Sequence, residues 1–211
     1  MARSQETISG FRKWPFLLVL SAPLLFGGSA VGANASADVL LKAAGSAAGL
    51  CVHIQSDEIG PGLELARTGR WVVHTLCVTE AATASARSAF AENRLYGLAS
   101  AEHRPRLESL PYADRLANLL VIDHWKDASQ RGLTWAECLR IMMPRGVILA
   151  GGASAEEIAA QIAPHRERVQ ELSRDGGLVR ITTAWPPDIG QWTHAFLRDA
   201  GNQKIAADPL N

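Results

Sequence analysis

Short apolar runs alternate with helix-type segments along most of this chain, and that alternation restricts the fold more than any other feature. The runs are 50–54 (Leu-Cys-Val-His-Ile), 71–78, 97–101, 116–122, 147–150 and 178–182. Each is close to continuously apolar and bounded by Gly, Pro or polar residues. That pattern predicts strands buried on both faces rather than strands with one wet face. Between them, 37–49 suits a short helix ending at Gly49, 61–68 has Pro at its first turn, and 80–93 is alanine-rich. Thr134 with Glu137, and Ser154 with Glu157, have the spacing of helix-opening capping boxes. The first of these helices is expected to run to Met143 and stop at Pro144. The second is expected to reach about Arg174, kinked or broken before Pro164. Strand-helix alternation of this kind predicts an α/β fold: a doubly wound, mostly parallel sheet in three α/β/α layers.

The N-terminus reads as an address. Arg3, Arg12 and Lys13 precede an apolar stretch from Trp14 to Phe26, and small residues follow. Val31-Gly32-Ala33 and Ala35-Ser36-Ala37 both offer cleavage positions, so 1–37 is expected to be a signal peptide directing export to the periplasm or beyond. The alternative is an uncleaved anchor, although the apolar part is short for a span and Pro23 interrupts it. Residues 38–184 then form one domain, followed by a junction at 185–211. The chain of 211 residues carries 21 basic and 21 acidic side chains, and that balance argues against nucleic acid as a partner. Cys51, Cys77 and Cys138 are odd in number and widely spaced. That excludes a disulfide framework and a CxxC-type zinc site, and Cys51 and Cys77 sit in strand-like runs as small apolar residues.

In a parallel sheet, ligands bind beyond the carboxyl ends of the strands, where the strand order reverses. A nucleotide-type site needs glycine directly after the first strand, so that a phosphate or ribose can approach the backbone. Here the segment reads Gln55-Ser56-Asp57-Glu58-Ile59-Gly60-Pro61-Gly62, so glycine arrives late and no GxGxxG pattern forms. The second strand ends in Cys77, where an acid is wanted for ribose hydroxyls. Glu80 is the nearest candidate, and its alternative role is to open the next helix. Asp123, His124 and Trp125 follow the strongest strand. His124 can serve as a base and Trp125 as a stacking platform, or the three form a polar strand end with a tryptophan over the core. His53 and His74 lie late in neighbouring strands, but two histidines without a third ligand give no metal site, and none is expected. No GxSxG elbow occurs, and Gly151-Gly152 reads as a turn rather than a phosphate cradle.

Two groups of residues resemble a known family. Leu110-Pro111-Tyr112-Ala113-Asp114 before the fourth strand, and Glu137 through Arg140 to Pro144-Arg145-Gly146 before the fifth, are similar to the LP(F/Y)xD and ExxRxLxPGG segments of class I S-adenosylmethionine (SAM) methyltransferases. The resemblance implies a Rossmann-like fold with SAM held by Gln55, Asp57, Gly60 and Gly62, by Glu80, and by Asp123 and His124. Trp185-Pro186-Pro187-Asp188-Ile189-Gly190-Gln191-Trp192-Thr193-His194 looks like the junction found in exported bacterial proteins where such a domain precedes a PQQ-binding-like β-propeller. That resemblance implies a propeller domain or protein as partner. The first half of the domain departs from the family pattern at both cofactor positions. The expected function is therefore a methyltransferase-like module with degenerate SAM binding, used as a scaffold or accessory. The alternative is an active SAM-dependent methyltransferase.

Overall fold

A computed structural model describes residues 37–44, 48–55, 59–175 and 177–187. Residues 1–36 of the expected leader and most of the junction, 188–211, lie outside the described residues, as does Asp57. The elements in chain order are α1 (Ala37–Ala44), β1 (Gly49–Gln55), α2 (Gly60–Arg67), β2 (Trp71–Cys77), α3 (Glu80–Glu92), β3 (Ala99–His103), β4 (Ala117–Ile122), α4 (Trp125–Gln130), α5 (Trp135–Ile141), β5 (Met142–Ala150), α6 (Ala155–Ile162), a 3₁₀ turn (Ala163–Arg168), β6 (Val169–Asp175) and β7 (Leu178–Thr183). They build one seven-stranded sheet in the order β3-β2-β1-β4-β5-β7-β6. The first five of these are parallel, and β7 runs antiparallel to both β5 and β6.

The expected doubly wound sheet is present, with corrections at four places. The helix from Ser154 breaks before Pro164 as expected, ending at Ile162, but it does not resume to Arg174: a 3₁₀ turn follows and 169–175 is an edge strand. β5 starts at Met142 rather than Val147, because a bulge at 143–146 with Arg145 in a left-handed conformation shifts its register on β4. β3 lies two residues later than expected, and the short helix α4 was not anticipated. Among the capping boxes, Ser154 and Glu157 form the full reciprocal pair. Thr134 caps α5 by accepting from Glu137 N–H, but the Glu137 carboxylate turns elsewhere.

Side chains alternate across the sheet, so each strand feeds two cores. Cys51, Val73, Cys77, Leu119, Val121 and Leu149 pack under α1, α2 and α3. Val52, Ile54, Leu76, Leu120, Ile122 and Ile148 pack under α4, α5 and α6. Each fully buried Leu or Ile contributes roughly 1.5–3 kcal/mol relative to exposure. His53 pairs in register with Thr75, so His74 falls on the opposite face and the two histidines do not converge.

The crossover from β3 to β4 contains no helix among the described residues. Segment 104–116 makes it instead, anchored by the buried Leu107 and Leu110. The two family-like motifs hold it down by binding each other. Glu137 accepts from the Leu110 N–H at 2.6 Å, and both its oxygens accept from Arg140. Arg140 donates onward to the carbonyls of Leu110 and Tyr112 and to the Asp114 carboxylate. A bidentate guanidinium with three further acceptors fixes the loop that starts β4.

Candidate ligand edge of the sheet

The carboxyl ends of the parallel strands lie level. Gln55 pairs with Cys77 and Cys77 with His103, while Ile54 pairs with Ile122 and Ile122 with Ala150. The strand order reverses between β1 and β4, which makes their carboxyl ends the switch point. Asp123 is the first residue past β4. Its N–H donates to the Ile54 carbonyl, and its carboxylate accepts from His53 Nε2 at 2.9 Å. His53 is fully buried, so this bond fixes its ring, with the proton on Nε2. The other ring nitrogen, Nδ1, and the hydroxyl of Thr75 are buried without a hydrogen-bond partner.

Helix α2 closes over that pair. A Cβ on Gly62 would lie 2.8 Å from His53 Nδ1 and 3.2 Å from Thr75 Oγ1. Gly62 therefore serves close packing of helix on strand, one of the glycine roles in dinucleotide folds. Gly60 differs. It is exposed, with nothing within 4 Å of a built Cβ, and the helix cap Ile59 makes no side-chain bond to the first-turn N–H groups. Gln55 is the last residue of β1.

At the end of β2, Cys77 is buried. Burial pushes its thiol up, opposed by Thr83 and Arg87. Thr79 caps α3 by accepting from the Ala82 N–H, which makes Glu80 the first helical residue. The Glu80 carboxylate is solvent-facing and 3.9 Å from Nδ1 of His103. Placing β3 two residues early hid His103 at the sequence level. The run of small residues at 97–101 gave no sign that the strand continues through Glu102.

His124 stands at the N-cap position of α4 without a side-chain capping bond, half-buried, with Nδ1 3.0 Å from where a Cβ on Gly152 would lie. Trp125 is core. Its ring stacks on Trp135 at 3.8 Å, and both indoles donate to Gln161. No face of it is offered to an adenine. The Gly151 carbonyl accepts from the Trp125 N–H, and a Cβ on Gly151 would meet the Asp123 carbonyl at 2.3 Å. The two glycines thus join the β4 and β5 loops. Among the described residues, the expected contributors fall into two places: Gln55, Gly60, Gly62, Asp123 and His124 around the switch point, and Glu80 over β2 and β3, beside His103, which was not among those expected.

No family model and no curated relative matches the sequence. Solved structures do. A putative SAM-dependent methyltransferase from Methanococcus maripaludis superposes with a TM-score of 0.52 at 17% identity, covering 70% of this chain and 82% of its own. The glycopeptide N-methyltransferase MtfA, complexed with SAM, gives 0.55 at 12% identity over 71% and 92%. This chain has the fold of the class I SAM-dependent methyltransferases. The [4+2]-cyclase SpnF also matches, with a TM-score of 0.54 at 15% identity, covering 65% of this chain and 58% of SpnF. A methyltransferase-type fold therefore fixes neither the reaction nor the presence of one.

Proposed function

We propose that this chain is an exported methyltransferase-like module whose SAM site has degenerated, and that it serves as a scaffold or accessory to a PQQ-like β-propeller domain or protein. The observation that carries this reading is Cys77. At the end of β2, where an acid would accept ribose hydroxyl hydrogens, stands a buried thiol held in its neutral form. The surrounding residues do not fit SAM either. Gly62 is spent on packing against His53, Asp123 is engaged by His53, and Trp125 is stacked on Trp135. The leader sequence supports export, where SAM is scarce, and the 185–194 resemblance supports the propeller partner.

A second reading, an active methyltransferase on an unidentified substrate, draws on the first turn of α2. Its N–H groups lack a side-chain cap beside the open Gly60, and Glu80 is free to turn toward solvent. Calorimetric titration of the purified chain with SAM, and with S-adenosylhomocysteine, separates the two. No heat at millimolar ligand is expected; saturable binding in the micromolar range overturns the degenerate reading.

A further inference from the structure

The four large apolar side chains that stand well exposed among the described residues all lie at the opposite edge of the sheet, where the parallel strands begin. Tyr96, 95% exposed, precedes β3; Val72, 50%, is the second residue of β2; Leu116, 48%, stands just before β4; Trp185, 36%, follows the antiparallel β7. On β1, the half-buried Leu50 pairs in register with Val72. In sheet order the row runs from β3 to β7, five strand spacings or roughly 24 Å. Ligands of this fold type enter at the other edge, so nothing about a cofactor accounts for the row.

Arginine is interleaved along the same edge: Arg70, Arg94 and Arg145 are exposed, Arg115 is half-buried, and Arg168 is half-buried and donates to the Leu139 carbonyl. The nearby acids Glu64 and Asp114 are held by Arg67 and Arg140, and Glu92 and Glu167 are the others at this edge among the described residues. Arg94, Arg115 and Arg145 are also the non-glycine residues at positive φ among those described, at 57°, 57° and 61°. Glycine or asparagine takes that backbone at less cost, and such strain gathers at functional surfaces. The Arg145 guanidinium lies 5.1 Å from the centre of the Trp185 ring. Beside that ring a cavity of about 210 Å³ opens between Met143, Pro144, Arg168 and Pro186, which gives room for a side chain from outside.

We infer that this edge is a protein-docking surface, and that its partner is an acidic polypeptide face carrying apolar side chains. The exposed Arg94 and Arg145 supply the charge complement. Val72 and Leu116 are aliphatic and have no use on a phosphate backbone, which favours protein over nucleic acid. The test is fluorescence anisotropy of the full chain with a labelled glutamate–tyrosine random copolymer. Polyglutamate and a single-stranded oligonucleotide are run beside it. Binding to the copolymer is expected to exceed binding to either control. It should weaken at least tenfold in Arg94→Glu/Arg145→Glu and likewise in Val72→Ser/Leu116→Ser. Arg145→Gly guards against misfolding, because it removes the charge while relieving the backbone; it should bind more weakly with an unchanged or higher Tm. Absent copolymer binding, binding indifferent to these substitutions, or tighter binding to the oligonucleotide overturns the inference. So does self-association in sedimentation velocity that the same substitutions abolish, since the occupant would then be a second copy.

Discussion

Asp123 meets His53 at 2.9 Å across the line where the strand order of the sheet reverses. One partner leads the β4 loop and the other is sunk in β1, 70 residues away. The ligand edge is thus tied together by the protein itself. Removing the carboxylate leaves the buried imidazole donor without an acceptor, a penalty comparable to a lost charge-assisted bond. Asp123→Ala is expected to cost about 2–4 kcal/mol in urea denaturation, and Asp123→Asn less, because its amide oxygen still accepts. A loss below roughly 0.5 kcal/mol for the alanine variant would mean the pair contributes nothing of this kind.

Gly62→Ala tests how tightly α2 is seated. Helix propensity alone favours alanine by about 1 kcal/mol. The new methyl would stand 2.8 Å from His53 Nδ1, on a ring that Asp123 keeps from swinging aside. Overpacking wins, with an expected net loss of about 1–3 kcal/mol. Adding His53→Ala should return part of that loss, giving strongly non-additive energies in the double-mutant cycle. Additive energies would show that the clash is relieved without the histidine.

The elements that were legible in the sequence are those with a strong local pattern. The apolar runs of β1, β2 and β4 and the alanine-rich α3 fall within a residue or two of their expected places. Strand β6 was not legible. It is an edge strand with one neighbour, its residues Gln170, Glu171, Ser173, Arg174 and Asp175 are polar, and it follows directly on a helical pattern. The Cys77 position could be read from spacing alone. The His53–Asp123 bond could not, because it joins segments that only the β1–β4 register brings together. The Glu137 carboxylate likewise looked like a capping group and instead serves a loop 27 residues away.

That loop clamp has a pH signature. Hydrogen bonds from Arg140, foremost, and from the Leu110 N–H hold the Glu137 carboxyl below its usual range, against burial. A carboxyl with a lowered folded pKa binds fewer protons in the folded state. Its stabilisation is complete above the unfolded value, about 4.3, and is lost as pH falls through the folded one. Glu137→Gln should therefore lower stability at pH 7 by about 2–3 kcal/mol and by clearly less near pH 3. Guanidinium denaturation of both forms at the two pH values measures the difference. A penalty independent of pH would remove the charge from the account.

His74 anchors the same crossover from the sheet side. Its Nδ1 accepts from the Tyr112 hydroxyl at 2.8 Å, and its Nε2 lies 3.7 Å from Glu102, which also faces Arg104. Burial pulls the imidazole below its ordinary value and outweighs the attraction of Glu102. The folded state then binds fewer protons than the unfolded one. The contribution is whole above pH about 6.5 and declines as pH falls from there. Tyr112→Phe removes the donor to Nδ1 and should raise the His74 midpoint in an NMR titration, because the neutral ring loses its partner. A midpoint unmoved by that substitution would separate the histidine from the loop.

The thiols of Cys51, Cys77 and Cys138 are all buried, and burial pushes each one up, so little thiolate forms at neutral pH. The native chain should leave Ellman's reagent uncoloured for minutes and titrate fully once unfolded in guanidinium. Cys77 is expected to react first of the three. It ends β2 at the ligand edge, and Thr83 and Arg87 offset part of the burial effect there. Its modification rate should follow local opening of that edge rather than global unfolding, and so respond less to denaturant than the rates of Cys51 and Cys138. A Cys77 rate with the same denaturant dependence as Cys138 would mean that the end of β2 opens only when the whole domain does, leaving no room for any ligand to enter beside it.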